Sequence, residues 1–86
     1  MIDNNQSSQN SQIRYFTKDT TLASWLYMNG IKLEKVTDDH PAQMVFLGNN
    51  LDLQNLIDQF QNGNPHGNII TFFRAYKDIL SMIKDR

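Results

Sequence analysis

The sequence predicts a single α+β domain of order βαββαα, with a three-stranded antiparallel sheet and three helices packed mainly on one face of it. Short runs rich in β-branched and aromatic residues alternate with segments of helical periodicity, and turn residues separate them. The chain has 86 residues, 40% of them hydrophobic, which is enough for one small core and too little for two. Because the chain has no cysteine, its core or a partner must supply the stability that disulfides give other small domains.

The first twelve residues are predicted to be a disordered polar tail, and residues 13–86 to be the domain. Met1 and Ile2 are the only apolar side chains of the tail, too few to offset an ordering cost of about 1–2 kcal/mol per residue. The N-terminus lacks the basic and apolar regions of a secretory signal, and no apolar run reaches the roughly 18 residues of a membrane span. These features predict a cytoplasmic protein with no membrane association.

The first strand and the first helix are predicted from local signals. The run Ile13–Phe16 is aromatic and β-branched, which favours a strand. A helix over Thr20–Asn29 follows, for which Thr17 and Asp19 are both candidate N-caps because their side-chain oxygens accept hydrogen bonds from free backbone amides. Gly30 is placed to end this helix in the left-handed conformation that glycine adopts without a steric penalty.

The next segment is predicted to be an antiparallel hairpin. Ile31–Val36 forms its first strand, and the continuous apolar run Met44–Leu47 forms its second. The residues between them include Thr37–Pro41, a cluster of turn-forming side chains in which the proline disfavours helix at the preceding residue. The pairing therefore has a loop of several residues.

Two amphipathic helices are predicted to complete the chain. Asn49 or Asn50 caps the first of them, and Asn62–Gly67 breaks it. Its apolar residues recur at helical spacing: Leu53, Leu56, Ile57 and Phe60. The last helix runs from about Asn68 to Lys84 and has a long apolar stripe predicted to face the core: Ile69, Phe72, Phe73, Tyr76, Ile79, Leu80 and Ile83.

This order of elements, with several short motifs, resembles a known family. The motifs are Tyr15-Phe16-Thr17-Lys18-Asp19, Leu22-Ala23, Leu26, Gly30, Val45-Phe46 and Phe72-Phe73. The family resembled is a group of small bacterial, plasmid and phage proteins, the domain of unknown function numbered 5659, and the resemblance covers about residues 14–84. It implies a compact βαββαα domain and a gene carried by mobile elements, and it brings no catalytic residues. The hairpin turn over Asp38–Gln43 is longer than the family pattern.

The polar residues of the chain do not form a recognisable catalytic or ligand-binding motif. His40 and His66 both lie beside prolines in predicted loops, and the sequence offers them no second group of metal ligands. The Gly63–Gly67 segment precedes a helix but lacks both glycine-rich phosphate-binding patterns. The serines have no recognisable base and orienting acid. We therefore expect no enzymatic activity, no cofactor and no metal.

Two surfaces are candidates for binding. The first helix is apolar almost all round, so part of it is either covered by the last helix or offered to a protein partner or a second copy of the chain. The candidate partner-binding residues are Phe16, Trp25, Tyr27 and Met28. The second candidate is a basic nucleic-acid-binding face, interrupted by Asp78 and Asp85, in a chain of net charge −1. Its residues are Arg14, Lys18, Lys32, Lys35, Arg74, Lys77 and Lys84.

From these features we predict a non-enzymatic protein-interaction module, an accessory or regulatory subunit encoded on a mobile element. The alternative is a small nucleic-acid-binding accessory protein of replication or defence that uses the basic face. Salt dependence distinguishes the two, because phosphate binding weakens steeply as salt rises and a mostly apolar interface does not.

Overall fold

The computed structural model describes residues 12–63 and 65–85. Its elements are β1 (Gln12–Thr17), α1 (Thr20–Met28), β2 (Lys32–Val36), β3 (Met44–Asn49), α2 (Asn50–Asn62) and α3 (Ile69–Asp85). The α+β class and the order βαββαα are confirmed. The predicted tail lies outside the described residues except for Gln12, which already belongs to β1.

The sheet has three antiparallel strands in the order β1-β3-β2. The strand β3 is central and pairs with β1 from Gln12 opposite Asn49 to Thr17 opposite Met44. It pairs with β2 on its other side, which confirms the hairpin. The hairpin loop is closed by the backbone N–H of residue 37, which donates to the carbonyl of Gln43 at 2.9 Å. Among the described residues, β1 and β2 are therefore the two edge strands of the sheet.

A β-bulge in β2 adapts the strand to the core. Leu33 pairs with Phe46, whereas Lys35 rather than Glu34 pairs with Val45. The extra residue shifts the alternation, so that Leu33 and Val36 both pack against the core although three positions separate them. The bulge leaves Glu34 on the outer face of the sheet, the face that carries no helix.

Helix α1 forms a buried middle layer of the domain. Five consecutive residues, Leu22 to Leu26, are buried, and five successive residues span the full circumference of a helix. The sheet contributes Met44 and Phe46 to the cluster around α1, and α2 and α3 contribute Leu53 and Ile79. The apolar side chains that surround α1 are thus largely enclosed within the domain, and α3 packs against this helix.

Side chains cap the helix N-termini, at Asp19 and Asn49 as the sequence predicts. Asp19 is the N-cap of α1 and accepts from the backbone N–H of residues 21 and 22, while the Thr17 hydroxyl accepts from the Asp19 N–H at 3.0 Å. Asn49 and Asn68 cap α2 and α3 in the same way. Gly30, with φ of +89°, closes α1, since its N–H and that of the next residue donate back to carbonyls of the last turn.

The buried side of α3 differs from the one predicted. Ala75 and Ile79 are buried and Phe72 is half-buried, as expected for a face turned toward α1. The predicted core positions Ile69, Phe73 and Leu80 are exposed, so that part of the prediction is wrong. Ile69, Phe73 and Leu80 lie about 80–160° round the helix from Ala75 and Ile79, on the side away from the buried face. None of the helices in the described part of the chain is long and apolar enough to cross a membrane.

Candidate interaction surface

An exposed apolar stripe runs along α3. We call Ile69, Phe73, Tyr76 and Leu80 the α3 stripe. Ile69 is 67% exposed, Phe73 54% and Leu80 37%, and Tyr76 is half-buried. At about 100° per residue these four side chains fall within an arc of roughly 60°, and they extend over about three helical turns. The stripe is therefore a continuous surface.

Aromatic contacts anchor the α3 stripe to the core. The Phe72 ring is half-buried and belongs to the shell packed against the core cluster. It lies edge-on to the Phe73 ring, with 6.5 Å between centroids, and it stacks on the Tyr76 ring at the same distance and an interplanar angle of 15°. The exposed rings are thus held by a packed neighbour, so they need little ordering when a partner binds.

A groove opens beside the first turn of α3. It is lined by residues of all three helices and of the loop before α3: Trp25, Met28, Phe60, Pro65, Gly67, Asn68, Ile69 and Phe72. Its volume is about 280 Å³. Ile69 belongs to both the groove and the α3 stripe, and Phe72 lines the groove and contacts the stripe. The two features therefore form one surface.

The floor of the groove is formed by a core residue that joins α1 to α2. Trp25 is 4% exposed, and its indole N–H donates to the Leu56 carbonyl at 2.9 Å, which joins α1 to α2. A Cβ atom placed on Gly67 would lie only 2.8 Å from Met28 Cε and 3.4 Å from the Trp25 ring. The loop therefore lies directly against α1, and a larger residue at Gly67 would require the end of the flexible Met28 side chain to move.

The predicted partner-binding residues lie in three separate places. Trp25 is a core residue whose ring edge lines the groove, and the half-buried Met28 lies beside it. Tyr27 is half-buried and lines a second depression, between β2 and the end of α3. Phe16 is 52% exposed and pairs with Val45 on the outer face of the sheet. The α3 stripe was not among the predicted binding residues, because the helical spacing of Ile69, Phe73, Tyr76 and Leu80 predicts a core face.

The predicted basic residues do not form one strip. Arg14, Lys32 and Lys35 lie on the outer face of the sheet, Lys18 lies in the β1–α1 loop, and the remaining three lie on α3: Arg74, Lys77 and Lys84. The acidic Glu34 and Asp85 both line the depression between β2 and α3. Carboxylates thus interrupt the path from the sheet to α3.

Arg14 and Glu34 form an ion pair across the outer face of the sheet. Arg14 Nε donates to Glu34 Oε1 at 2.7 Å, although the two residues lie on the two edge strands with β3 between them. Their hydrogen bond raises the pKa of Arg14 and lowers that of Glu34. Arg14 is therefore less available to a phosphate than the sequence suggests. Elsewhere, the described residues place no three His, Cys, Asp or Glu side chains where they could hold a metal ion.

One family matches the chain. The model of a family described as a domain of unknown function (DUF5659) matches residues 12–84, which is nearly the full length. Searches of curated proteins and of solved structures found no match.

Proposed function

The chain belongs to the family described as a domain of unknown function, DUF5659, and we propose that it is a non-enzymatic protein-interaction module that binds through the α3 stripe. The accessory or regulatory role, and a gene encoded on a mobile element, belong to the same proposal. The observation that carries it is the exposure of Ile69, Phe73 and Leu80 along one line of a well-packed helix.

The arrangement of these side chains distinguishes them from ordinary exposed apolar residues. Single apolar side chains are common on protein surfaces, whereas contiguous ones indicate binding sites. Ile70, which is 59% exposed, lies beside the stripe and widens it. Aromatic residues supply most of the strongest contacts in protein interfaces, and Phe73 lies near the middle of the stripe. A partner that covers Phe73 would bury apolar surface that the free domain leaves in water.

The test compares two phenylalanines of nearly equal exposure. Phe73→Gln alters the α3 stripe, and Phe16→Gln alters the outer face of the sheet, where the exposed fraction is 52% rather than 54%. Tagged full-length variants are expressed in the native host, cross-linked and recovered for mass spectrometry. We expect Phe73→Gln to lose a partner that both the wild type and Phe16→Gln retain, because loss of a central interface aromatic costs about 2 kcal/mol or more.

Two controls make the comparison decisive. Both variants must keep the circular dichroism spectrum and the melting temperature of the wild type, which shows that the domain is folded. Sedimentation of the purified chain shows whether the partner is a second copy. Equal recovery of all partners by wild type and Phe73→Gln would overturn the assignment of binding to α3.

The nucleic-acid alternative stays a prediction. The sheet and α3 each carry basic residues, but no described feature joins them, and the ion pair occupies Arg14. Titration of the chain with DNA and RNA at several salt concentrations tests this alternative. Binding whose affinity falls by several powers of ten between low and moderate salt would favour it.

A further inference from the structure

We infer that the partner of the α3 stripe is an amphipathic helix with acidic residues beside its apolar face, and that one large apolar side chain of this helix fills the groove. The inference rests on the proposed function and specifies the chemistry of the partner. It follows from the shape of the stripe, the charges beside it, and the position of the groove at its end.

The shape of the surface favours a helix. The α3 stripe is straight and extends about 16 Å at 1.5 Å per residue from Ile69 to Leu80. Apolar helix surfaces of this kind are commonly covered by a second helix whose side chains recur at the same spacing. The groove volume of about 280 Å³ lies just below the range of typical small-molecule sites, and it suits a single anchoring side chain. The groove opens beside Ile69, at the end of the path that such a helix would follow.

The charges beside the stripe select the partner. Lys77 and Lys84 lie about 60–80° from Ile69 around the α3 axis, on the side away from the buried face. Both are exposed, and neither forms an ion pair with another described residue. Asp78 and Asp85 lie about 160–180° from Ile69, on the opposite side of α3. They are too far from the edge of the α3 stripe to neutralise the two lysines where a docked helix would meet them. A helix docked on the stripe therefore meets a positive edge.

The same charges disfavour a second copy of the chain. Two α3 helices packed antiparallel through the stripe and related by a two-fold axis would place both copies of Lys77 and Lys84 along the same side of the seam. Lys77 lies near the middle of the stripe, so its two copies would face each other. The repulsion between these lysines would lower the affinity of the chain for a second copy of itself. Glu or Asp side chains on a different helix would instead form ion pairs with Lys77 and Lys84.

The test uses two synthetic helical peptides of about 20 residues without tryptophan. They share one apolar face of Leu and Ile and differ only in flanking residues, which are Glu in one and Lys in the other. Trp25 is the only tryptophan of the chain and lines the groove, so its fluorescence reports occupation directly. We expect the Glu peptide to bind the full-length protein at least tenfold more tightly than the Lys peptide at low salt. The flanking residues of the Glu peptide attract Lys77 and Lys84, whereas those of the Lys peptide repel them.

Variants of α3 separate the charge effect from general binding. Lys77→Glu combined with Lys84→Glu should reverse the peptide preference. The matched control Arg74→Glu changes the same kind of charge about 140° away from Ile69 and should leave the preference unchanged. Phe73→Gln should weaken both peptides. The inference is overturned if the two peptides bind equally, if the Lys peptide binds better, or if neither binds.

The outcomes for the partner chemistry and for the proposed function can be distinguished. If both peptides bind equally and both depend on Phe73, the acidic helix is refuted and the interaction surface on α3 stands. If recovery of host partners does not depend on Phe73, the proposed function fails whatever the peptides do.

Discussion

Replacement of Ile79 by alanine tests the position of the core most directly. Ile79 lies in α3, has no exposed surface, and belongs to the core cluster with Leu26 and Phe46. The substitution removes three carbon atoms, and at about 0.8 kcal/mol for each the lost transfer free energy is about 2.4 kcal/mol. The cavity left between α1 and α3 adds to this loss, so we expect a total of about 3–4 kcal/mol.

The matched control is Ile70→Ala, the same chemical change on the same helix. Ile70 is 59% exposed, so less than half of the transfer term applies, about 1 kcal/mol, and no enclosed cavity forms. Guanidinium denaturation followed by circular dichroism and by Trp25 fluorescence gives both free energies of unfolding. If the two losses differ by less than about 1 kcal/mol, the core does not lie on the Ala75–Ile79 side of α3.

Three further changes test local features by the same denaturation measurement. Asp19→Ala should cost about 1 kcal/mol at pH 7. The Thr21 hydroxyl and the backbone amides that donate to this carboxylate lower its pKa, so the difference from wild type should shrink as the pH falls below 3.8. Gly30→Ala should cost about 1–2 kcal/mol because φ is +89°, whereas Gly63→Ala, at φ of −141°, should cost less than half of that. Tyr27→Gln with Met28→Glu should cost more than about 2 kcal/mol because both side chains pack against the core; a fully stable double variant would place them on the surface.

The sequence predicts the element order and the helix ends well because both depend on local signals. Asp19, Asn49 and Gly30 each act through backbone groups within a few residues, so their roles can be read from the chain alone. The bulge in β2 has a local signal in the sequence. Leu33 and Val36 are three positions apart, a spacing that strand alternation cannot place on one face.

The buried side of α3 and the strand order depend on distant parts of the chain. The apolar residues of α3 span a wide arc, and hydrophobicity alone does not indicate which part of that arc faces α1. Ala75 lies on the buried side, but alanine is a weak hydrophobic signal, so this part of the face is hard to recognise from the sequence. The groove was equally unpredictable, since Trp25, Phe60 and Ile69 come from three helices that only the tertiary structure brings together.

The central position of β3 sets the order in which the domain can fold. The strands β2 and β3 are close in sequence, so their pairing closes a short loop and can form early. The strand β1 can join only after β3 is in place, and the chain between them includes the whole of α1. Pairing of β1 with β3 therefore also brings α1, which directly follows β1 in the chain, against the sheet. A chain halted before that pairing would leave uncovered the side of α1 that packs on Met44 and Phe46 of the sheet, and exposed apolar surface of this kind favours aggregation.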